Sequence, residues 1–138
     1  MTTSTVAIIG TAGRGNDKQK MTKELFLSMI LKAEDIIQNQ LKLKKSNVTL
    51  VSGGSAWADH VAVRLYLNSI MDESYNSLSL YLPCRINLEN LPYSFENNEV
   101  GNRLQSLHSY FSKTTGINSI QDLKVVSDLG ENVDTKCK

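Results

Sequence analysis

The chain has little cysteine and proline, almost no net charge and no long hydrophobic run, and each shortage excludes a class of protein. Cys84 and Cys137 are too few and too far apart for a disulfide framework or a zinc site, which need clustered or regularly spaced thiols. They read as free thiols in a reducing compartment, and no metal or other cofactor is expected. Fifteen Lys and Arg against 14 Asp and Glu leave a formal net charge of +1. So weak a field does not gather a polyanion, and extended nucleic-acid binding is not expected. The apolar run from Val6 stops at Gly10, too short for a signal segment or a membrane span. A cytoplasmic domain without membrane attachment is therefore expected. Hydrophobic residues at 41% and charged residues at 21% are ordinary globular values, and 138 residues suffice for one core without staples.

What is present is an alternation of short apolar runs with helical periodicity. Val6-Ala7-Ile8-Ile9-Gly10 is continuous in its apolarity, as suits a parallel strand buried on both faces. Phe26, Met29, Ile30, Ala33, Ile37 and Leu41 then recur at helical spacing behind a Thr22 N-cap, and the basic stretch Lys42 to Lys45 closes that helix. Val48-Thr49-Leu50-Val51 forms a second strand, which passes through Ser52-Gly53-Gly54 into a helix from Ala56 to about Met71. Ser79-Leu80-Tyr81-Leu82 supplies a third, stopped by Pro83. Ile86 to Glu99 has no period and reads as a loop or lid.

Beyond it, Leu104, Leu107, His108 and Phe111 share a helical face that Gly116 terminates, and Asn118 caps a last short helix through Val126. The expected domain is residues 1–130, followed by a frayed polar tail at 131–138. Strands alternating with helices imply right-handed crossovers and a parallel sheet. The fold class is thus α/β, a Rossmann-like three-layer domain with a short parallel sheet and C-terminal helices. Three strands make a narrow sheet, so its edges need covering by those helices or by a second subunit, and a homo-oligomer is expected.

The chemistry concentrates at two strand-to-helix junctions. In Gly10-Thr11-Ala12-Gly13-Arg14-Gly15, glycines allow positive φ and close approach to a ligand, although a flexible connector fits the same residues. In Ser52-Gly53-Gly54-Ser55-Ala56-Trp57-Ala58-Asp59-His60, a glycine pair meets a helix N-terminus, whose unpaired amides and dipole form an anion seat. Both junctions fall at strand C-terminal ends, where open α/β sheets bind ligands. Arg14 and Arg85 are placed to reach an anion there. Trp57 either stacks on a base or packs against protein, and Asp59 either complements the helix dipole or acts on a ligand. His60 and His108 read as structural groups and Arg64 as an ordinary surface contact.

The stretches Ala7 to Gly13 and Leu50 to Val63 resemble the SLOG branch of Rossmann-like domains, over roughly residues 6–85. That superfamily includes the lonely-guy phosphoribohydrolases, the DNA-processing protein A fold and sensors of nucleotide-derived signals. The resemblance implies that Gly53, Gly54 and Ser55 hold a phosphate and that Asp59 meets a ribose hydroxyl or a reacting centre. The lonely-guy pattern P-G-G-x-G-T-x-x-E finds Ser52 in place of its proline and His60 in place of its glutamate. Leu107 to Ser112, with Gly116 and Ile120, resembles the downstream part of viral and bacterial relatives that continue into a further strand and glycine motif, so a shortened member is expected. Three functions follow as expectations. The first is a module that binds a nucleotide or nucleotide-derived small molecule through Gly10, Thr11, Gly13, Arg14, Ser52, Gly53, Gly54, Ser55, Trp57, Asp59 and Arg85. The second is a nucleotide N-glycosidase using Asp59, or a lid acid such as Glu96 or Glu99, catalytically. The third is a structural or oligomerisation domain with a vestigial site.

Overall fold

Alternation along two five-residue strands builds the centre of the fold. In β2 (Val48–Ser52) and β3 (Ser77–Tyr81), the apolar residues Val48, Leu50, Leu78 and Leu80 fall on one face and are fully buried. A computed structural model describes residues 2–135 of the chain, and Cys137 lies outside the described residues. β1 (Ser4–Ala7) pairs parallel with β2, with Val6 opposite Leu50. It begins two residues before the apolar run, and the Ile8 amide extends the pairing by donating to the Val51 carbonyl at 2.9 Å.

On the far side of β3 lies a strand drawn from the tail that was expected to fray. β6 (Asn132–Asp134) pairs parallel with β3, which gives the sheet order β1-β2-β3-β6. Three polar-flanked residues carry no hydropathy signal, so this strand is held by other means. The Glu131 carboxylate accepts the Leu78 amide at 3.1 Å and the Tyr66 hydroxyl.

Among the described residues four α-helices connect these strands: α1 (Lys23–Asp35), α2 (Ala58–Ser69), α3 (Glu99–Thr115) and α4 (Ser119–Asp128). The caps follow the local chemistry: Thr22, Asn98 and Asn118 each accept an amide from the first turn of their helix. Gly116 closes α3 with φ at 76°. Within the span expected to be a loop or lid, β4 (Ile86–Asn87) and β5 (Ser94–Phe95) form a small antiparallel hairpin.

The helices meet around three fully buried rings. Phe26 of α1 and Trp57, just before α2, both pack edge-on against Phe111 of α3, at 4.7 and 4.9 Å between centroids. Edge-to-face packing of this kind adds about 0.5–1.5 kcal/mol per pair beyond the area buried. The helices gather on the sheet face that carries Leu50 and Leu80. The opposite face holds exposed Thr5, Ala7 and Tyr81 between half-buried Thr49, Ser77 and Ser79, so these strands are not buried on both faces. The domain is α/β with a four-stranded parallel sheet and helices between its strands, consistent with a Rossmann-like fold. Residues 2–135 furnish the sheet and the helical layer on one face. Among the described residues no helix is long and apolar enough to cross a membrane.

Because Glu131 serves two donors, Glu131→Ala orphans the Leu78 amide and the Tyr66 hydroxyl together. Urea unfolding of that variant is expected to show a loss of about 2 kcal/mol. An unchanged midpoint contradicts this anchoring of the fourth strand.

Candidate functional site

The turn between β2 and α2 is shaped by residues that few other sequences could supply. Gly54 has φ at +75°, which favours glycine, and a Cβ there would stand 2.2 Å from Leu82 Cδ2, so any other residue would also displace that side chain. Its amide donates to Ser52 Oγ at 3.4 Å, and its carbonyl receives His108 Nε2 at 3.0 Å. One residue on, the Ser55 amide donates to Asp59 Oδ2 at 3.2 Å. The anion seat expected for a ligand phosphate therefore already contains a carboxylate of the protein. α2 starts at Ala58, later than the expected Ala56, because Trp57 takes φ at 61° and turns its ring into the core.

That rotation explains the first glycine loop. Gly13, with φ at +77°, lies on the indole, where a Cβ would come within 2.6 Å of Trp57 Nε1. Gly10 abuts Ala58, whose Cβ would be 2.9 Å from one built at Gly10. Thr11 Oγ1 donates to Asp17 at 2.6 Å and accepts the Gly13 amide at 3.1 Å, while the Thr11 carbonyl takes the Ala58 amide at 3.0 Å. Gly10, Thr11, Gly13 and Trp57 thus knit the two junctions together, Ser52 braces the second turn, and none of the five lines the cleft over that turn. The expectation that Trp57 presents a stacking surface is corrected by its full burial.

A cleft of about 470 Å³ opens over the turn at the C-terminal rim of the sheet. Gly53, Ser55 and Asp59 form its floor, Ala12 and Arg14 one wall, and Tyr81 and Pro83 the end of β3. Val100, Arg103, Leu104 and Leu107 of α3 supply the facing wall. Of the expected residues, Arg14, Gly53, Ser55 and Asp59 come together here, with Gly54 directly beneath.

Arg85 does not: Pro83 and Cys84 carry the chain away, and Arg85 lines a separate depression beside the hairpin with Phe95 and Glu96. Glu96 and Glu99 are not in the cleft either, and Glu99 pairs with Arg103 at 3.4 Å. Arg103 and the exposed ring of Tyr81 were missed. The signal for Arg103 was the spacing Val100, Arg103, Leu104, Leu107, one stripe of a helix. Nothing in the sequence placed Tyr81.

Burial pushes the Asp59 carboxyl above the usual carboxylate range, against the opposing pull of the Ser55 and Gly53 amides. Burial also pushes His108 down to about 3, so its ring is neutral. Since the Gly54 carbonyl can only accept, Nε2 carries the proton, and Nδ1 accepts from the Ser119 hydroxyl at 2.7 Å. His60 is lowered by burial as well, although its Nε2 stands 2.9 Å from Asp122 Oδ2. Arg64, expected at the surface in an ordinary contact, reaches both oxygens of Asp122 at 3.1 and 3.2 Å and so clamps α2 to α4. Among the described residues no group of three or more His, Cys, Asp or Glu side chains could hold a metal ion.

Over 119 residues, 86% of this chain, the sequence is 37% identical to an uncharacterized protein of Acanthamoeba polyphaga mimivirus, and the match spans 61% of that relative's length. No family model matches the chain, and no solved structure does.

The two lowered histidines set a pH dependence. Unfolded, each binds a proton near pH 6.5; folded, each binds it only at lower pH, His108 near 3, so their contribution is present above 6.5 and is lost as the pH falls below it. For His108 the decline is about 1.4 kcal/mol per pH unit. Urea midpoints at pH 7.5, 6.5 and 5.5 are expected to fall slightly over the first interval and steeply over the second, and a flat profile contradicts the buried neutral rings.

Proposed function

We propose that the cleft binds a nucleotide or a nucleotide-derived small molecule. The observation that carries this reading is the convergence of two arginines, Arg14 and the Glu99-paired Arg103, with one amide-held carboxylate, Asp59, in the lining of a single cleft at the strand C-termini. Guanidinium forks match phosphate oxygens. A carboxylate fixed by backbone amides cannot seat a phosphate itself, but it accepts hydrogen bonds from sugar hydroxyls. Tyr81, 52% exposed at the cleft edge, offers the stacking face that Trp57 does not. The apolar side chains of Val100, Leu104 and Leu107 suit the rest of a base, and the volume falls within the range of small-molecule sites.

A second reading, cleavage of an N-glycosidic bond in such a nucleotide, is favoured by the raised carboxyl of Asp59. A partly desolvated carboxylate beside the ribose stabilises positive charge developing at the anomeric carbon. Asp59 is the only carboxylate among the residues lining the cleft, so this reading assigns it the whole role.

Calorimetric titration with AMP, NAD and a cytokinin-type nucleotide separates these readings from a domain with a vestigial site. Binding of at least one is expected. Arg14→Ala and Arg103→Ala should each weaken it about tenfold, as loss of a charge-assisted hydrogen bond predicts, and Tyr81→Ala should weaken it less. Release of free base that disappears in Asp59→Asn assigns the cleaving activity, and binding without release assigns holding alone. No binding across the panel contradicts both.

A further inference from the structure

We infer that His108 is a positioning residue for the cleft floor: its hold on the Gly54 carbonyl sets the direction of the Ser55 amide and, through it, of the Asp59 carboxylate. The Gly54 carbonyl and the Ser55 N–H belong to one planar trans peptide and point opposite ways. His108 Nε2 grips the inner end at 3.0 Å, and Asp59 Oδ2 takes the outer end at 3.2 Å. Rotation of that plane would break both bonds at once. With a glycine on one side of that plane, the backbone has little stiffness of its own there. The direction of the amide is therefore supplied from the core.

The grip is itself fixed. The Ser119 hydroxyl at 2.7 Å from Nδ1 holds the tautomer that keeps the proton on Nε2, and Ser112 Oγ accepts the Ser119 amide at 3.2 Å. The imidazole stacks on Phe95 at 5.1 Å between centroids and is fully buried, so it has no freedom to turn away. α3 also carries Arg103, Leu104 and Leu107 on the cleft wall, one of them adjacent to His108 in sequence. Wall and floor therefore answer to one helix. For ligand binding the inference rests on the nucleotide reading; for the geometry of the floor it does not.

The test follows the Ser55 amide by hydrogen exchange and the Asp59 carboxyl by NMR titration, in wild type, His108→Phe and His108→Gln. Phenylalanine keeps a ring against Phe95 but cannot donate, and the glutamine amide reaches as far as Nε2. In His108→Phe, Ser55 exchange is expected to accelerate about tenfold or more, and the Asp59 midpoint to move up as it loses an amide. In His108→Gln both should return toward wild type. Should the phenylalanine variant not fold, His108→Asn, whose shorter amide meets Ser119 and not Gly54, takes its place with the same expectation. Unchanged exchange and midpoint in the non-donating variant, or no recovery with glutamine, overturns the inference. AMP affinity on the same samples is expected to fall and recover in parallel. A wild-type protein that binds none of AMP, NAD and the cytokinin-type nucleotide counts against the nucleotide reading alone, since the exchange and titration readouts still decide the role of His108.

Discussion

The peptide unit joining Gly54 to Ser55 is held at both ends, by an imidazole inside and a carboxylate outside. Most of what gives the domain a site depends on this. A positive φ at Gly54 lets the chain leave β2 against Leu82, and a second positive φ at Trp57 throws the largest side chain of the region inward. Left-handed backbone at a tryptophan costs on the order of 1–3 kcal/mol and persists only where its surroundings impose it. Here the surroundings are Phe26 and Phe111 around the indole and Gly13 folded over it. The first glycine loop is thus shaped by the second junction, and Arg14 reaches the cleft as a consequence.

Polar groups in the core follow a common pattern. His60 and His108 are fully buried, and each is neutral because an imidazolium there would lose its hydration. Each also ties elements that sequence alone leaves separate: His60, with Arg64 and Asp122, joins α2 to α4, and His108 joins α3 and α4 to the glycine turn. Removing one member of such a network leaves another buried and unpaired, which is why these contacts specify an arrangement as well as stabilise it.

Features governed by near neighbours were legible in the sequence. Thr22 and Asn118 cap where their spacing indicates, Gly116 ends α3, and the glycine pair does lead into a helix with Asp59 in its first turn. What depends on tertiary docking was not legible. β6 is secured by Glu131 reaching across to Leu78 and Tyr66, contacts that leave no periodic trace. The burial of Trp57 required a backbone conformation that no non-glycine residue advertises. Arg85 was grouped with Arg14 because both follow strand ends, yet Pro83 and Cys84 redirect the chain before Arg85 can face the cleft. Arg103 lay on a helical stripe whose apolar members drew attention to the core and hid its orientation toward the cleft.

The Ser55 amide is engaged by Asp59, so an anion the cleft accepts is met chiefly by arginine side chains, and Asp59 is left to meet donors. The most direct test of this division is a two-dimensional ¹⁵N NMR titration with AMP that follows backbone amides and arginine side-chain N–H groups together. The account predicts saturable shifts at Arg14, Arg103, Ser55 and Asp59, with the Arg85 and hairpin signals still. Shifts confined to the hairpin, or no saturable shift at the cleft, would contradict it.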